Sequence, residues 1–318
     1  MSDKTLFKKQ LLFKYLPVTI LLIVIGIIEL LSILLNFNRP QDAPELTWFL
    51  IIILLIVGIT AGFLGGIIGT GGCSVMLPIL HFWLGFPAPL AVGTTLFAVI
   101  FTAISGGYGH LIRKNVDKRA SIILGLSGIA GVALGSWLFT MLTGENTVRY
   151  LSLILGIVFI WPAIRMTWEG IRGKIIDKKG STEIKTETKE QVIKGSVKWL
   201  SVFGFIIGIT TGLIGLGGGY ALVPGLIYLF GAPVYITMGT SLAIMIPLAL
   251  TGGLIKLFQG YVVLDAALLL AAGTIIGAQI GSAVIKKFRP YYLKLIFGLY
   301  FVYVSLKFIF CFFGLRIW

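Results

Sequence analysis

Long apolar stretches alternate with short polar ones along this chain, and their pattern predicts helices. The apolar runs lack the in–out alternation of a half-buried strand, and several exceed about 18 residues without a charge, enough to cross a bilayer as an α-helix. In hydrocarbon every backbone N–H and C=O must be paired within the protein, and helices achieve this segment by segment. Predicted spans lie at about 15–35, 47–68, 89–111, 119–142, 148–168, 199–216, 235–257, 263–285 and 291–313. Two shorter apolar segments, about 73–86 and 219–231, reach only about 20 Å at about 1.5 Å per residue. They are half-helices, squeezed spans or re-entrant hairpins. The run 15–35 is longer than a signal-peptide core and has no small-residue cleavage site, so it is expected to remain as a first span.

The pattern occurs twice. Gly66, Gly69, Gly71, Gly72, Pro78, Gly85, Pro87, Gly93 and Thr94 recur as Gly212, Gly215, Gly217, Gly218, Pro224, Gly231, Pro233, Gly239 and Thr240, always 146 positions later. The same offset links Gly106, Gly107, Gly131, Gly135 and Ser136 to Gly252, Gly253, Gly277, Gly281 and Ser282. The chain therefore carries two copies of one unit. It divides into an N-terminal segment with one extra span (1–46), a first repeat (47–168), a basic linker (169–198) and a second repeat (199–318). Each repeat makes five passes if the short segments cross. An odd number of passes turns the second copy upside down, so an all-α polytopic fold with inverted repeats is expected.

Both copies interrupt an apolar segment at one place, as Gly66-Ile-Ile-Gly69-Thr-Gly71-Gly72-Cys73-Ser74 and Gly212-Leu-Ile-Gly215-Leu-Gly217-Gly218-Gly219-Tyr220. Glycines cost about 1 kcal/mol each in a helix interior and let the backbone leave helical dihedrals. Paired interruptions of this kind point to a transport site. The freed N–H groups and the positive end of the following helix suit a small anion. Close helix packing is the competing explanation for one such run, and its recurrence at a fixed offset favours the site. Gly215-Leu-Gly217-Gly218 also mimics a dinucleotide loop, but no strand precedes it.

Composition and charge refine this reading. The chain is 57% hydrophobic and 12% charged, with mean hydropathy +1.01, more apolar surface than a soluble domain of 318 residues needs. The net charge of +14 invites a nucleic-acid partner, but its distribution argues against one. Twenty of the 26 Lys and Arg fall in four clusters, at 4–14, 113–119, 165–198 and 286–289. Such clusters mark cytoplasmic loops, which puts the N-terminus inside a cell membrane. Residues 259–265, the counterpart of 113–119, contain no Lys or Arg and are expected outside.

The twin glycine motifs, each followed by a proline, together with the turns Gly93-Thr94-Thr95 and Gly239-Thr240-Ser241, resemble the sulfite exporter TauE/SafE family over about 50–313. Cys73 departs from the pattern, standing where the second copy has Gly219. The resemblance implies a secondary transporter, an exporter of sulfite, an organosulfonate or a related small anion. A carrier of a non-sulfur organic anion and an anion channel are the alternatives. The energy source is expected to be an ion gradient, H+ or Na+, or the substrate's own gradient. No cofactor, metal or enzymatic activity is expected, and homo-oligomerisation stays open.

The candidate binding residues are Gly69, Gly71, Gly72, Cys73, Ser74, Thr94 and Thr95 in the first copy, and Gly215, Gly217, Gly218, Gly219, Tyr220, Thr240 and Ser241 in the second. The hydroxyls would bind substrate oxygens or serve the helices as caps. His110 and Lys256 occupy equivalent span ends, as a snorkelling pair or as guides for an anion at each mouth. Glu29 and Asp265 read as interfacial acids. Neither repeat has a deep acidic residue, which weakens a carboxylate proton carrier and a cationic substrate.

Overall fold

The computed structural model describes residues 2–35, 39–141, 153, 157, 160, 163–175, 192–215 and 217–313. Among these there are helices and turns but no strand. The order is α1 (Ser2–Leu34), α2 (Trp48–Ile68), α3 (Cys73–Pro78), α4 (Ala88–Ile112), α5 (Lys118–Met141), α6 (described over 163–175), α7 (Val197–Ile214), α8 (Gly219–Tyr228), α9 (Val234–Phe258), α10 (Leu264–Val284) and α11 (Pro290–Phe312). Among the described residues, six stretches are long and apolar enough to cross a membrane, Leu16–Leu34, Trp48–Ile68 and Ala88–Ile112 among them. Most of the expected span 148–168 and the linker at 176–191 lie outside the described residues. Helix continues through 175, beyond the expected linker start at 169. The first short segment also differs from expectation: α3 ends at Pro78 and passes into a π-helical turn, Ile79–Trp83.

The helices are held by small residues. On α2, Gly58, Gly62 and Gly66 lie against Leu270, Thr274 and Ala278 of α10, and a Cβ on any of them would come within 2.6 Å of a backbone atom. On α10, Gly277 and Gly281 meet Ile59 and Phe63 in return. The second interface repeats the first. Gly204, Gly208 and Gly212 of α7 press on α5, whose Gly131 and Gly135 press on Phe205 and Ile209. Lipid gives no hydrophobic reason for helices to associate, so close backbone approach supplies dispersion contact instead. The copies are thus interlocked, because α5 packs on the other copy's α7 and α10 on the other copy's α2.

The contacts also give direction. Residue numbers rise together along α2 and α10, along α4 and α10 (Gly106 with Ala278, Gly109 with Ser282), and along α5, α7 and α9 (Gly125 with Pro247, Gly128 with Leu248 and Gly204). They run against each other between α4 and α9, where Gly252 meets Leu96 and Gly239 meets His110. Helices α2, α4 and α10 therefore run one way and α5, α7 and α9 the other. Counterparts at the 146-residue offset fall in opposite groups.

Outside this core, α1 lies on α10 and α4 with most of its surface uncovered. Arg39 follows α1 and pairs with Asp265 of α10 at 3.3 Å. Glu29 is half-buried.

Candidate anion site at the paired helix breaks

Each break follows one local plan. Gly69, Gly71 and Gly72 have φ of 81°, 70° and 79°, and Gly215, Gly217 and Gly218 have 71°, 70° and 75°. This left-handed region is open to glycine at no steric cost, which explains why the same positions hold glycine in both copies. Gly69 and Gly215 close α2 and α7 with N–H bonds of 2.8 Å to Gly65 O and Thr211 O. The carbonyls of Gly72 and Gly218 then open α3 and α8 by accepting from Met76 N and Leu222 N at 3.1 and 3.0 Å. A Cβ on Gly72 would stand 2.6 Å from Ala61 O, so the chain folds back against α2.

The two breaks meet. A Cβ on Gly219 would lie 2.5 Å from Thr70 Cα, and Cys73 Sγ is 3.6 Å from Gly215 O. Cβ atoms built on Gly71 and Gly217 would both strike Met245 Cε, at 2.5 and 2.7 Å, and approach Val99 Cγ1 at 3.1 and 3.5 Å. Val99 of α4 and Met245 of α9 are themselves counterparts at the repeat offset. The pattern of glycines did not mark them, because two different apolar residues on a buried helix read as core. Among the described residues, no acceptor is bonded to the N–H groups of Gly71, Gly72, Cys73, Gly217, Gly218 or Gly219. All six residues are buried. Buried amides are nearly always paired, so each orphan calls for an explanation.

The hydroxyls divide. Ser241 donates across the copies to Gly69 O at 2.8 Å, whereas Thr95 bonds back to Ala91 O of its own helix at 2.7 Å. Thr94 accepts from Val263 N at 3.0 Å and Thr240 from Asp117 N at 2.9 Å, each at the start of a helix in the other copy. Asp117 also accepts from Ala120 N and from Ile193 N, at 3.1 and 2.6 Å, tying the end of the linker to the loop before α5. Tyr220 turns its ring to Phe301 of α11, with centroids 5.3 Å apart. The side chain of Ser74 lies outside the described residues.

Neither His110 nor Lys256 snorkels, since both are fully buried. His110 Nε2 sits 2.8 Å from Gly66 O, one turn before the first break. Lys256 Nζ lies 3.1 Å from the centre of the Phe139 ring. Among the described residues no His, Cys, Asp or Glu group could hold a metal ion, and Cys73 is a buried free thiol.

Comparison with known sequences identifies a family. The profile described as "Sulfite exporter TauE/SafE" matches residues 53–308, which include both breaks and most of each repeat. The chain belongs to that family. This TauE/SafE protein is 30% identical to a "Probable membrane transporter protein" of Methanocaldococcus jannaschii over 263 residues, covering 76% of this chain and 89% of the relative. It is 26% identical to "Probable membrane transporter protein YunE" of Bacillus subtilis over 249 residues, 75% of this chain and 89% of that one. No solved structure matches it. The family is one of membrane transporters rather than enzymes, and the extra helix α1 lies before the matched region.

Proposed function

We propose that this TauE/SafE protein is a secondary transporter of a small oxyanion, sulfite or an organosulfonate, and that the anion binds between the two breaks. The observation that carries the reading is the set of six buried backbone amides, three from each break, that find no acceptor among the described residues. Backbone N–H groups are fixed donors that need no charge of their own, and in a low dielectric they bind an anion strongly. Cys73 and Thr95 border the same space, while Val99 and Met245 fill it in this conformation. The filled centre favours a carrier that opens alternately to each side over a continuously open channel.

The opposed groups α2, α4, α10 and α5, α7, α9 support copies inverted across the bilayer. An axis in the membrane plane then relates the breaks, and rocking one copy against the other would expose the site in turn. The clusters at 113–119 and 286–289 support a cytoplasmic N-terminus in the cell membrane.

Flux of radiolabelled sulfite and taurine in proteoliposomes tests the reading. Saturable flux at carrier rates, without single-channel currents in planar bilayers, is the expected result. Absence of flux for every small anion offered would reject it.

A further inference from the structure

The far end of α9 holds a group that the central site does not use. Lys256 is fully buried, and among the described residues its Nζ has neither a hydrogen bond nor a carboxylate partner. Its Nζ faces the Phe139 ring, with Tyr261 farther off at 5.5 Å from the ring centre. A ring face compensates only part of the hydration that a buried ammonium gives up. Two more orphans lie one helical turn away, on Ser136 before Phe139 and on Gln259 beyond Lys256. Ser136, fully buried on the facing helix α5, leaves Oγ unpaired, and Gln259, one turn beyond Lys256, leaves Oε1 unpaired. Gln259 Nε2 donates to the backbone carbonyl of Ser136 at 3.5 Å, which ties the end of α9 to α5.

The counterpart end shows that these unpaired groups are not imposed by the repeat. There His110 replaces Lys256 and is bonded to Gly66 O, while Arg113 replaces Gln259 and donates to Ser282 Oγ at 3.4 Å. Ser282, the counterpart of Ser136, donates to Gln279 O at 3.0 Å. At one end His110 Nε2, Arg113 and Ser282 Oγ have protein partners, whereas at the other Lys256 Nζ, Ser136 Oγ and Gln259 Oε1 have none among the described residues.

We propose that Lys256, Ser136 and Gln259 form a second binding site for a small oxyanion such as sulfite or sulfate, at the end of the molecule where α5 and α9 finish. The ammonium and the serine hydroxyl donate, and Gln259 Nε2, which gives one hydrogen to Ser136 O, has a second to give as a third donor. Gln259 is half-buried beside the exposed Gly260, so an anion enters from the α9–α10 turn. With the orientation proposed above, this is the extracellular mouth. As a waypoint for the transported ion, the site rests on the transporter reading. As a binding site, it stands without it.

Thermal-shift titration of the purified full chain tests it, with sodium sulfite and sodium sulfate as probes and sodium gluconate as the ionic-strength control. The expected result is stabilisation of the wild type, an apparent Kd at least tenfold weaker in Lys256→Met, and several-fold weaker binding in Ser136→Ala. Gly217→Ala, which disturbs the central breaks, keeps the Lys256-dependent component. Loss of the response in Gly217→Ala with full retention in Lys256→Met and Ser136→Ala would overturn the second site and leave the central one standing. Wild-type titration curves that match gluconate would also overturn it. Should Lys256→Met not fold, the Ser136→Ala titration decides alone, and unchanged affinity there would mean that the lysine holds only a structural water.

Discussion

Thr94 and Ser241 show what a sequence motif does and does not say about a hydroxyl. Both stand in repeated Gly-Thr turns, and both were expected near substrate. Thr94 accepts a backbone amide at the start of α10, whereas Ser241 reaches the carbonyl of Gly69 in the opposite break. The spacing marked these residues, but only the partner across 169 or 172 positions assigns the role. Thr94→Val should therefore act on stability, because a buried amide without its acceptor costs about 1–3 kcal/mol. A lower melting temperature with unchanged sulfite affinity in the folded fraction is the expected result, and Thr94→Ser should behave as wild type. Gly217→Val adds a side chain at a left-handed φ and against Met245 Cε, so anion binding should fall by at least tenfold while membrane insertion continues. Wild-type binding by this variant, measured by equilibrium titration, would remove the break from the site.

Among the elements, the repeat was legible because glycine leaves a mark that no other residue can imitate. A left-handed φ and a backbone contact both exclude side chains, so Gly69–Gly72 and Gly215–Gly218 had to match. The apolar partners Val99 and Met245 carry no such mark, since many side chains fill a gap between helices. The interlocking of α2 with α10 and α5 with α7 was equally hidden. The glycines at 131, 135, 277 and 281 were visible as repeats, but not the helices they face. Gly131 and Gly277 lie closest, each with a Cβ only 2.1 Å from a carbonyl oxygen, of Phe205 and of Ile59. Gly277→Leu should force α10 from α2 and lower the detergent melting temperature by several degrees, and Gly131→Leu should do the same at α5 and α7. Substitution of Gly85 by alanine meets open space and should cost only the strain of its positive φ. If all three variants melt alike, close glycine packing is not what joins the copies.

For the whole molecule, composition gave the membrane, and lysine and arginine placement gave an orientation. The handedness of the repeat relation came from counting passes, and the sense in which neighbouring helices run provides an independent argument for it. Ile112 and Phe258 are counterparts at the ends of α4 and α9, and both are exposed. Cysteines introduced there, in a Cys73→Ala and Cys311→Ala background, should react with an impermeant maleimide from opposite faces of intact cells and inverted vesicles. Phe258→Cys should label from outside. Labelling of both from one face would contradict the inverted arrangement.

In the proposed site two glycine breaks, one from each copy, present bare amides to one anion. The most direct measurement is a crystal structure of the protein soaked with selenite, a sulfite analogue whose selenium scatters anomalously. The expected result is an anomalous peak within hydrogen-bond distance of the N–H groups of Gly71, Gly72, Gly217 and Gly218, with Met245 displaced. A sulfite-transporting protein whose selenium peaks all lie away from the breaks would contradict the account.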